Sequence, residues 1–336
     1  MSLLLRLGAN CRVEFKRLRT RRHQATRRSA IDCQPHCPGG VRHMGPIAVL
    51  GIGRMGTAMA RRLSQSGFEV ILWNRTPAGA EALADELGVS VAASPSEAAR
   101  HAPILISSLA DDKALEAVHA GDNGTLAGVS EGHVVVDTST VSPESIVALS
   151  SRFAEVGAHL LDAPVSGSTG LVERGELTIM VGGDAGALES ARPVLDALAQ
   201  KVFHLGANGA GATMKLAVNA LVHAINLALS ESLVLAETAG IERELAYEVF
   251  ASGAGASPYV LYKRQSFQEP DSTPVAFTLD LVDKDLDLIL GLAARLGVPM
   301  DQAVTTSEVV GRALKAGMGG ADMSALAVYI RNEMAD

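Results

Sequence analysis

A lysine and an asparagine, Lys215 and Asn219, stand four residues apart in an apolar stretch that follows the glycine pair Gly209 and Gly211. On a helix this spacing places both side chains on one face. An ammonium group beside a reacting oxygen can stabilise negative charge and donate a proton, and the neutral amine can accept one. Because a free lysine has a pKa of about 10.4, burial or a neighbouring cation must lower the pKa of Lys215 for the base role. The alternative is an ordinary solvated helix residue.

A glycine-rich turn far upstream follows a short apolar run, Ile47 to Leu50, and precedes a helical stretch and a second apolar run, 68–73. This strand–turn–helix–strand order is the context in which G-x-G-x-x-G binds a dinucleotide, with the pyrophosphate at the helix N-terminus. Outside that context the motif would be only a structural turn. The predicted loop residues are Gly51, Ile52, Gly53, Arg54, Met55 and Gly56.

The second predicted strand ends in Asn74, Arg75 and Thr76. An NAD site usually carries an acidic residue there, which binds the ribose 2′-hydroxyl. No acid is present, and Arg75 can pair with a 2′-phosphate while Asn74 and Thr76 donate to it. The sequence therefore predicts NADP(H) as the preferred cofactor. If Arg75 only stacks on the adenine, NAD(H) is also usable.

Hydroxyl groups follow three further predicted strands. Since ligands of parallel sheets bind at the carboxyl ends of strands, we expect Ser108, Leu109 and Thr140 to contact the cofactor. The alternative for such serine and threonine residues is helix capping. The loop Ser166-Gly167-Ser168 offers a hydroxyl and backbone N–H groups to a substrate carboxylate, although alone it would be an ordinary turn.

After Gly206 the pattern changes to helices. Residues 213–239 are apolar at a helical period and nearly all round, which predicts a long helix buried between neighbours. Further helices are predicted near 242–253, 278–296, 299–317 and 321–334. The predicted fold is α/β, with a Rossmann dinucleotide-binding domain at 44–207 followed by an all-helical domain at 208–336 for substrate binding and dimerisation.

Composition narrows the function classes. The 336 residues are 48% hydrophobic and 20% charged, which is typical of a folded globular protein. All three cysteines precede Met44, so the body has no cysteine nucleophile or disulfide, which fits a reducing compartment and predicts a cytoplasmic protein. No charge-free apolar run long enough to span a membrane is apparent, and we expect no membrane partner.

Residues 1–43 carry ten basic residues against Glu14 and Asp32, a net charge of +8 that leaves −16 on the remainder. The acidic body makes nucleic acid an unexpected partner. We predict that 1–43 is a disordered basic extension, with Met44 as a second candidate start; a mitochondrial transit peptide, which would place the protein in the matrix, and a partner-binding arm are the alternatives. Cys33 and Cys37 have poor spacing for zinc, so no metal is predicted.

The ordered motifs resemble those of the β-hydroxyacid dehydrogenase family, the group of 3-hydroxyisobutyrate dehydrogenase and tartronate semialdehyde reductase. The resemblance extends from about Ile47 to Tyr329. It depends on the glycine loop, Asp137-Thr-Ser-Thr140, Asp162-Ala-Pro-Val-Ser-Gly167, Met180-Val-Gly-Gly-Asp184, Gly209-x-Gly-x-x-x-Lys215 with Asn219, Lys284-Asp-Leu286, and Gly319-Gly-Ala-Asp-Met-Ser-Ala-Leu326.

The resemblance implies an NAD(P)-dependent oxidoreductase that interconverts a small 3-hydroxy acid and its semialdehyde, in a homodimer or homotetramer. It implies Lys215 as the catalytic acid/base and Asn219 as a second catalytic residue that helps to hold the substrate. It also implies a carboxylate site at Ser166–Ser168 and cofactor contacts from Thr140 and Lys284. For Lys284 the alternative is an exposed ion pair among neighbouring aspartates. Ser168 departs from the family, which usually has glycine there, and would be strained if the position needs φ > 0.

Two alternative functions remain open at this point. An imine reductase on the same scaffold is one, although that subgroup typically replaces the lysine. A non-catalytic NADP-binding protein that acts through its basic arm is the other. The exact substrate, the physiological direction and the NADP-to-NAD ratio do not follow from the sequence.

Overall fold

The computed structural model describes residues 44–334. The predicted basic extension and the cysteines Cys33 and Cys37 lie outside the described residues, so those predictions stay predictions. Within 44–334 the first half is built on one sheet. Its strands are β1 (Ile47–Leu50), β2 (Val70–Trp73), β3 (Ser90–Val91), β4 (Ile104–Ser107), β5 (Val134–Asp137), β6 (His159–Asp162), β7 (Val165–Ser166), β8 (Leu177–Gly182) and β9 (Ala199–Gly206).

The strand order is β3-β2-β1-β4-β5-β6-β8-β7, with β9 also paired to β8. All pairs from β3 to β6 are parallel, whereas β8 runs antiparallel to both β6 and β7. Strands β1, β4 and β5 are fully buried, as expected for a parallel sheet covered on both faces. The carboxyl ends of β1, β4 and β5 therefore lie side by side, where a ligand can bind.

Helices cover both faces of the sheet. Serine or aspartate side chains at Ser94, Asp111, Ser142 and Asp184 accept N–H groups in the first turns of four of them, which fixes where those helices begin. The helices are α1 (Arg54–Gln65), α2 (Pro77–Leu87), α3 (Pro95–His101), α4 (Asp112–Ala120), α5 (Pro143–Glu155), α6 (Thr169–Arg174) and α7 (Ala185–Leu198).

The second half is helical and packs around a separate apolar core. Its central helix α8 is 29 residues long and passes from the sheet into this core. Near its start, Ala212 packs in an apolar cluster of the sheet, and one turn later Leu216 packs in the core of the helical half. The helices are α8 (Ala210–Thr238), α9 (Arg243–Ser252), α10 (Pro258–Tyr262), α11 (Arg264–Gln268), α12 (Leu279–Leu296), α13 (Asp301–Lys315) and α14 (Leu326–Glu333). The predicted Rossmann-then-helical architecture is confirmed.

By length and composition alone α8 could cross a membrane, which is a weak indication because a central core helix passes the same test. Its buried face carries polar groups, among them Asn226, which donates to the Met323 carbonyl and accepts from the Tyr259 hydroxyl. The prediction that α8 is buried between its neighbours is wrong for one stripe. Leu221 and Leu235 are 63% and 73% exposed, because no other described element packs against that side.

Candidate active site

The glycine loop between β1 and α1 has the steric properties of a dinucleotide cradle. Gly51 has φ +92°, and a Cβ atom there would lie 2.4 Å from the Ser108 carbonyl oxygen. A Cβ atom at Gly56 would lie 2.0 Å from the carbonyl oxygen of Gly51, so α1 packs directly onto the turn. Beside Gly53 there is open space. The residues thus fit a bound pyrophosphate at the start of α1.

The side chain of Asn74, at the end of β2, links this turn to the glycine loop. Its side-chain oxygen accepts the Ile52 N–H at 3.0 Å, and its amide nitrogen donates one N–H to the Thr76 carbonyl at 2.9 Å. The amide has a second N–H group, so the predicted contact with a 2′-phosphate stays a prediction. The side chains of Arg54, Arg75 and Thr76 are exposed there.

A buried polar network supports the adjacent strand ends. The hydroxyl groups of Ser107 and Ser139 donate to the same carboxylate oxygen of Asp137, at 2.6 and 2.8 Å. Burial raises the pKa of Asp137 to about 6, although these donors oppose the rise. Ser139 in turn accepts the Leu109 N–H at 2.9 Å. The network holds the two turns that carry Ser108, Leu109 and Thr140 next to the glycine loop. The helices that follow these turns are capped by Asp111 and Ser142.

Sequence reasoning missed His119, which completes the network. Its Nε2 atom lies 3.2 Å from the Ser107 hydroxyl and its Nδ1 atom 2.8 Å from the Thr125 hydroxyl. Burial lowers the pKa of His119 to about 3, so the ring is neutral. Because Ser107 donates to Asp137, it accepts from His119 Nε2–H, which leaves Nδ1 to accept from Thr125.

Lys215 lies in the second turn of α8, half-buried, and its Nζ atom donates to the Val165 carbonyl at 2.8 Å. Burial lowers the pKa of Lys215 to about 8; the charge of Asp285 opposes this shift and that of Lys284 adds to it. The start of the helix is fixed by the Asp162 carboxylate, which accepts the N–H groups of Gly209 and Ala212 at 3.0 and 2.9 Å.

Asn219 and Lys284 meet at the buried carboxylate of Asp285 on α12. The Asn219 amide nitrogen donates to Oδ2 at 2.5 Å, and Lys284 Nζ lies 3.0 Å from Oδ1. Lys284 also donates to the Thr140 carbonyl at 2.7 Å and to the Ala110 carbonyl at 3.3 Å. The alternative of an exposed ion-pair face is therefore wrong, because Lys284 spans from the helical half to the strand ends of the sheet.

Asp285 itself was not predicted as a site residue. Burial acts to raise its pKa, but the contact with His223 and the charge of Lys284 outweigh burial, so the pKa lies below its ordinary value. Asp285 is therefore ionised at neutral pH. The Lys-Asp pair in the sequence was the available signal, but among four nearby aspartates it did not single out this one.

The turn after β7 brings Ser166, Gly167 and Ser168 next to Lys215, since Val165 directly precedes them. The condition for strain at Ser168, a positive φ, is not met: its φ is −89° and it stands just before α6. The positive φ of this turn, +142°, falls on Gly167, where a Cβ atom would come within 2.7 Å of Leu177. A serine at 168 is thus compatible with the backbone.

The structure brings the predicted residues together in two groups. Lys215, Asn219, Lys284, Thr140 and the Ser166–Ser168 turn are linked by the contacts above, and the glycine loop with Arg75 lies along the same strand ends. Within residues 44–334 no group of three or more histidine, cysteine or acidic side chains could hold a metal ion.

Known proteins are similar to this chain along nearly all of its described residues. A family profile for the NAD binding domain of 6-phosphogluconate dehydrogenase matches residues 46–206, and one for the NAD-binding of NADP-dependent 3-hydroxyisobutyrate dehydrogenase matches 209–330. Glyoxylate/succinic semialdehyde reductase 2 of Arabidopsis thaliana is 34% identical over 280 residues, 83% of this chain and 78% of the relative. The chain belongs to the β-hydroxyacid dehydrogenase family.

Solved structures agree with this membership. The 3-hydroxyisobutyrate dehydrogenase of Salmonella typhimurium has a TM-score of 0.78 and 29% identity, covering 85% of this chain and 99% of that one. Psf3, solved with NADP+ and 2-OPP, has a TM-score of 0.77 and 26% identity, covering 84% and 99%. As a β-hydroxyacid dehydrogenase the protein is an NAD(P)-dependent oxidoreductase that interconverts small hydroxy acids and their semialdehydes. The predicted family and function class are confirmed.

Proposed function

We propose that the protein reduces a small carboxylated aldehyde to its 3-hydroxy acid with NADPH, and that Lys215 is the general acid. The observation that carries this proposal is the position of Lys215: half-buried, beside the Ser166–Ser168 turn, with a pKa of about 8. A group whose pKa lies near the working pH is well suited to proton transfer in both directions.

The residues divide the reaction between them. The Ser166–Ser168 turn holds the substrate carboxylate through its hydroxyls and N–H groups, and Asn219 holds the hydroxyl of the hydroxy acid. When bound, the reduced nicotinamide supplies the hydride that attacks the aldehyde carbon. As negative charge grows on the aldehyde oxygen, the Lys215 ammonium stabilises it and donates its proton. In the oxidative direction the neutral amine accepts the proton of the alcohol.

The NADPH preference is supported by charge at the end of β2. No acidic residue occupies positions 74 to 76, and the exposed Arg75 can pair with a 2′-phosphate. Arg75→Ala should weaken NADPH binding by roughly 10- to 100-fold, since a charge-assisted hydrogen bond is lost, and leave NADH binding unchanged. Arg100→Ala, at another exposed position, is the control. Equal losses for both cofactors would contradict the preference.

The experiment that tests the reaction measures NADPH and NADH oxidation by the full chain. The substrates are tartronate semialdehyde, methylmalonate semialdehyde, succinic semialdehyde, glyoxylate and a cyclic imine. Lys215→Met should lower kcat/KM by about 10²- to 10⁴-fold, the usual contribution of a positioned acid. Lys201→Met, at an exposed lysine on β9, should have no effect. Turnover of the imine alone, or turnover indifferent to Lys215, would refute the proposal.

We further propose a homodimer or homotetramer. The exposed stripe of Leu221 and Leu235 on α8 supports it, because large apolar side chains at 63% and 73% exposure are typical of surfaces that a partner covers. Light scattering of the purified chain tests this, and a monomer at micromolar concentration would contradict it.

A further inference from the structure

One buried histidine near the site has no partner. His223 lies one turn beyond Asn219 and two turns beyond Lys215, on the same face of α8. It is 2% exposed, and neither ring nitrogen makes a hydrogen bond to a described residue. A buried polar atom without a partner destabilises the fold, so its presence calls for an explanation.

The ring of His223 faces Asp285. The Nε2 atom lies 3.6 Å from Asp285 Oδ2, the same oxygen that accepts the Asn219 amide. The other oxygen, Oδ1, has Lys284 Nζ at 3.0 Å. The ring of Phe277 stacks against the imidazole with centroids 6.1 Å apart. The carboxylate is thus bounded on one oxygen by an ammonium and on the other by an imidazole.

This arrangement decides how Asn219 is oriented. An ionised carboxylate only accepts hydrogen bonds, so the Asn219 amide must present its NH2 group to Asp285. Its carbonyl oxygen then points away from Asp285 and accepts no hydrogen bond from a described residue. An amide held this way offers an acceptor, which suits a substrate hydroxyl.

We propose that His223 is a positioning residue: it holds the Asp285 carboxylate so that the carbonyl oxygen of Asn219 faces the hydroxyl of the hydroxy acid. The inference rests on the proposed function, in which Asn219 holds the hydroxyl of the hydroxy acid. The 3.6 Å separation is slightly longer than a hydrogen bond, and contacts of this kind often shorten when substrate binds.

Two variants of His223 separate its N–H group from its volume. His223→Phe keeps a flat ring but has no donor, whereas His223→Gln keeps an amide N–H. We expect His223→Phe to lower kcat for oxidation of the hydroxy acid by about 10- to 100-fold, the effect of a misplaced group near the chemistry. The KM for the hydroxy acid should change little, because the Ser166–Ser168 turn is untouched. His223→Gln should recover most of the lost kcat.

A double-mutant cycle shows whether the effect passes through Asn219. In the Asn219→Ala background, His223→Phe should have almost no further effect on kcat, because the group it positions is already gone. A full additional loss in that background would overturn the proposal. So would a wild-type kcat in His223→Phe, or a His223→Gln variant as impaired as His223→Phe, which would assign the effect to packing.

Parallel assays of wild type and Lys215→Met separate this inference from the function on which it rests. If wild type is active, Lys215→Met is inactive and His223→Phe equals wild type, only the positioning role is overturned. If wild type turns over no semialdehyde, the proposed function and this role fail together. Melting temperatures of all variants identify any that do not fold.

Discussion

Two buried aspartates flank α8, one on the sheet side and one on the helical side, and their surroundings differ. Asp162 ends β6 and is 1% exposed; its donors are the neutral groups of Gly209, Ala212 and Asn208. Asp285 on α12 is fully buried, with the ammonium of Lys284 beside it. Burial raises the pKa of Asp162 despite its donors, whereas the pKa of Asp285 is lowered because its neighbours outweigh burial.

The difference shows how one residue type serves two purposes in the same site. Backbone N–H groups around Asp162 fix where the helix of Lys215 begins, so Asp162 is an anchor of the fold. The charges of Asp285 and of Lys284 beside it both act on the pKa of Lys215. Asp285 therefore influences the protonation of the proposed general acid. We therefore expect substitutions at Asp162 to reduce stability and those at Asp285 to reduce rate.

The largest effect should come from Asp162→Ala, which leaves the buried N–H groups of Gly209 and Ala212 without an acceptor. We expect a loss of about 3–5 kcal/mol in the free energy of unfolding, measured by denaturant titration. The matched control is Asp184→Ala, which removes the exposed N-cap of α7 and should cost about 1 kcal/mol. Equal losses would mean that Asp162 is only another cap.

Asp285→Asn should have the next largest effect, and it should act on the catalytic rate instead of on stability. The charge beside Lys284 and Lys215 is lost, and the orientation of Asn219 is no longer fixed. We expect kcat/KM for the aldehyde to fall about 100-fold. Asp287→Asn, two residues along α12 and exposed, should leave kcat/KM unchanged. If Asp285→Asn unfolds the protein but the folded fraction retains its rate, the contrast with Asp162 disappears.

The pH dependence of the two directions should mirror the pKa of Lys215. Reduction requires the protonated form, so its kcat/KM should fall about tenfold per pH unit above pH ~8, whereas oxidation should rise through that pH. A Lys215→Arg variant stays protonated, so any residual reduction should show no such fall. If kcat/KM for reduction falls with pH in this variant just as in the wild type, the fall belongs to a group other than Lys215.

The smallest effect is a gain in stability. The pKa of Lys215 falls from its ordinary value of 10.5 to about 8 in the native state. At pH 7 the burial of the charged side chain therefore destabilises the native protein. Lys215→Met should therefore stabilise the fold by roughly 1–2 kcal/mol at pH 7. The unfolded state binds more protons than the native state between these pKa values. The gain should consequently shrink as the pH rises above 8 and vanish above 10.5. Lys201→Met is the control.

The strands and helices with strong patterns could be predicted from the sequence. Strand β1 at Ile47–Leu50 matches the prediction, and α12 and α9 begin within one residue of the expected positions. The strand β3 was missed because two exposed residues carry no periodicity. The helix α10 was missed although Ser257 and Pro258 form a recognisable N-terminal signal.

The candidate site was only partly predictable. Lys215 and Asn219 follow from their spacing, because one helix holds both. Asp285 and His223 meet across 62 residues of sequence, and no local pattern specifies which side chains of α8 and α12 face each other. The reversed direction of β8 likewise depends on pairing between distant strands.

Asn74 has a consequence beyond holding a turn. Its side chain holds the loop together, while the neighbouring Arg75, the residue that we propose to pair with a 2′-phosphate, is exposed on the surface. Different, adjacent residues therefore carry the shape and the charge of the loop. Under that proposal, a substitution of Arg75 alone would change the coenzyme that the enzyme uses and leave the conformation of the loop intact.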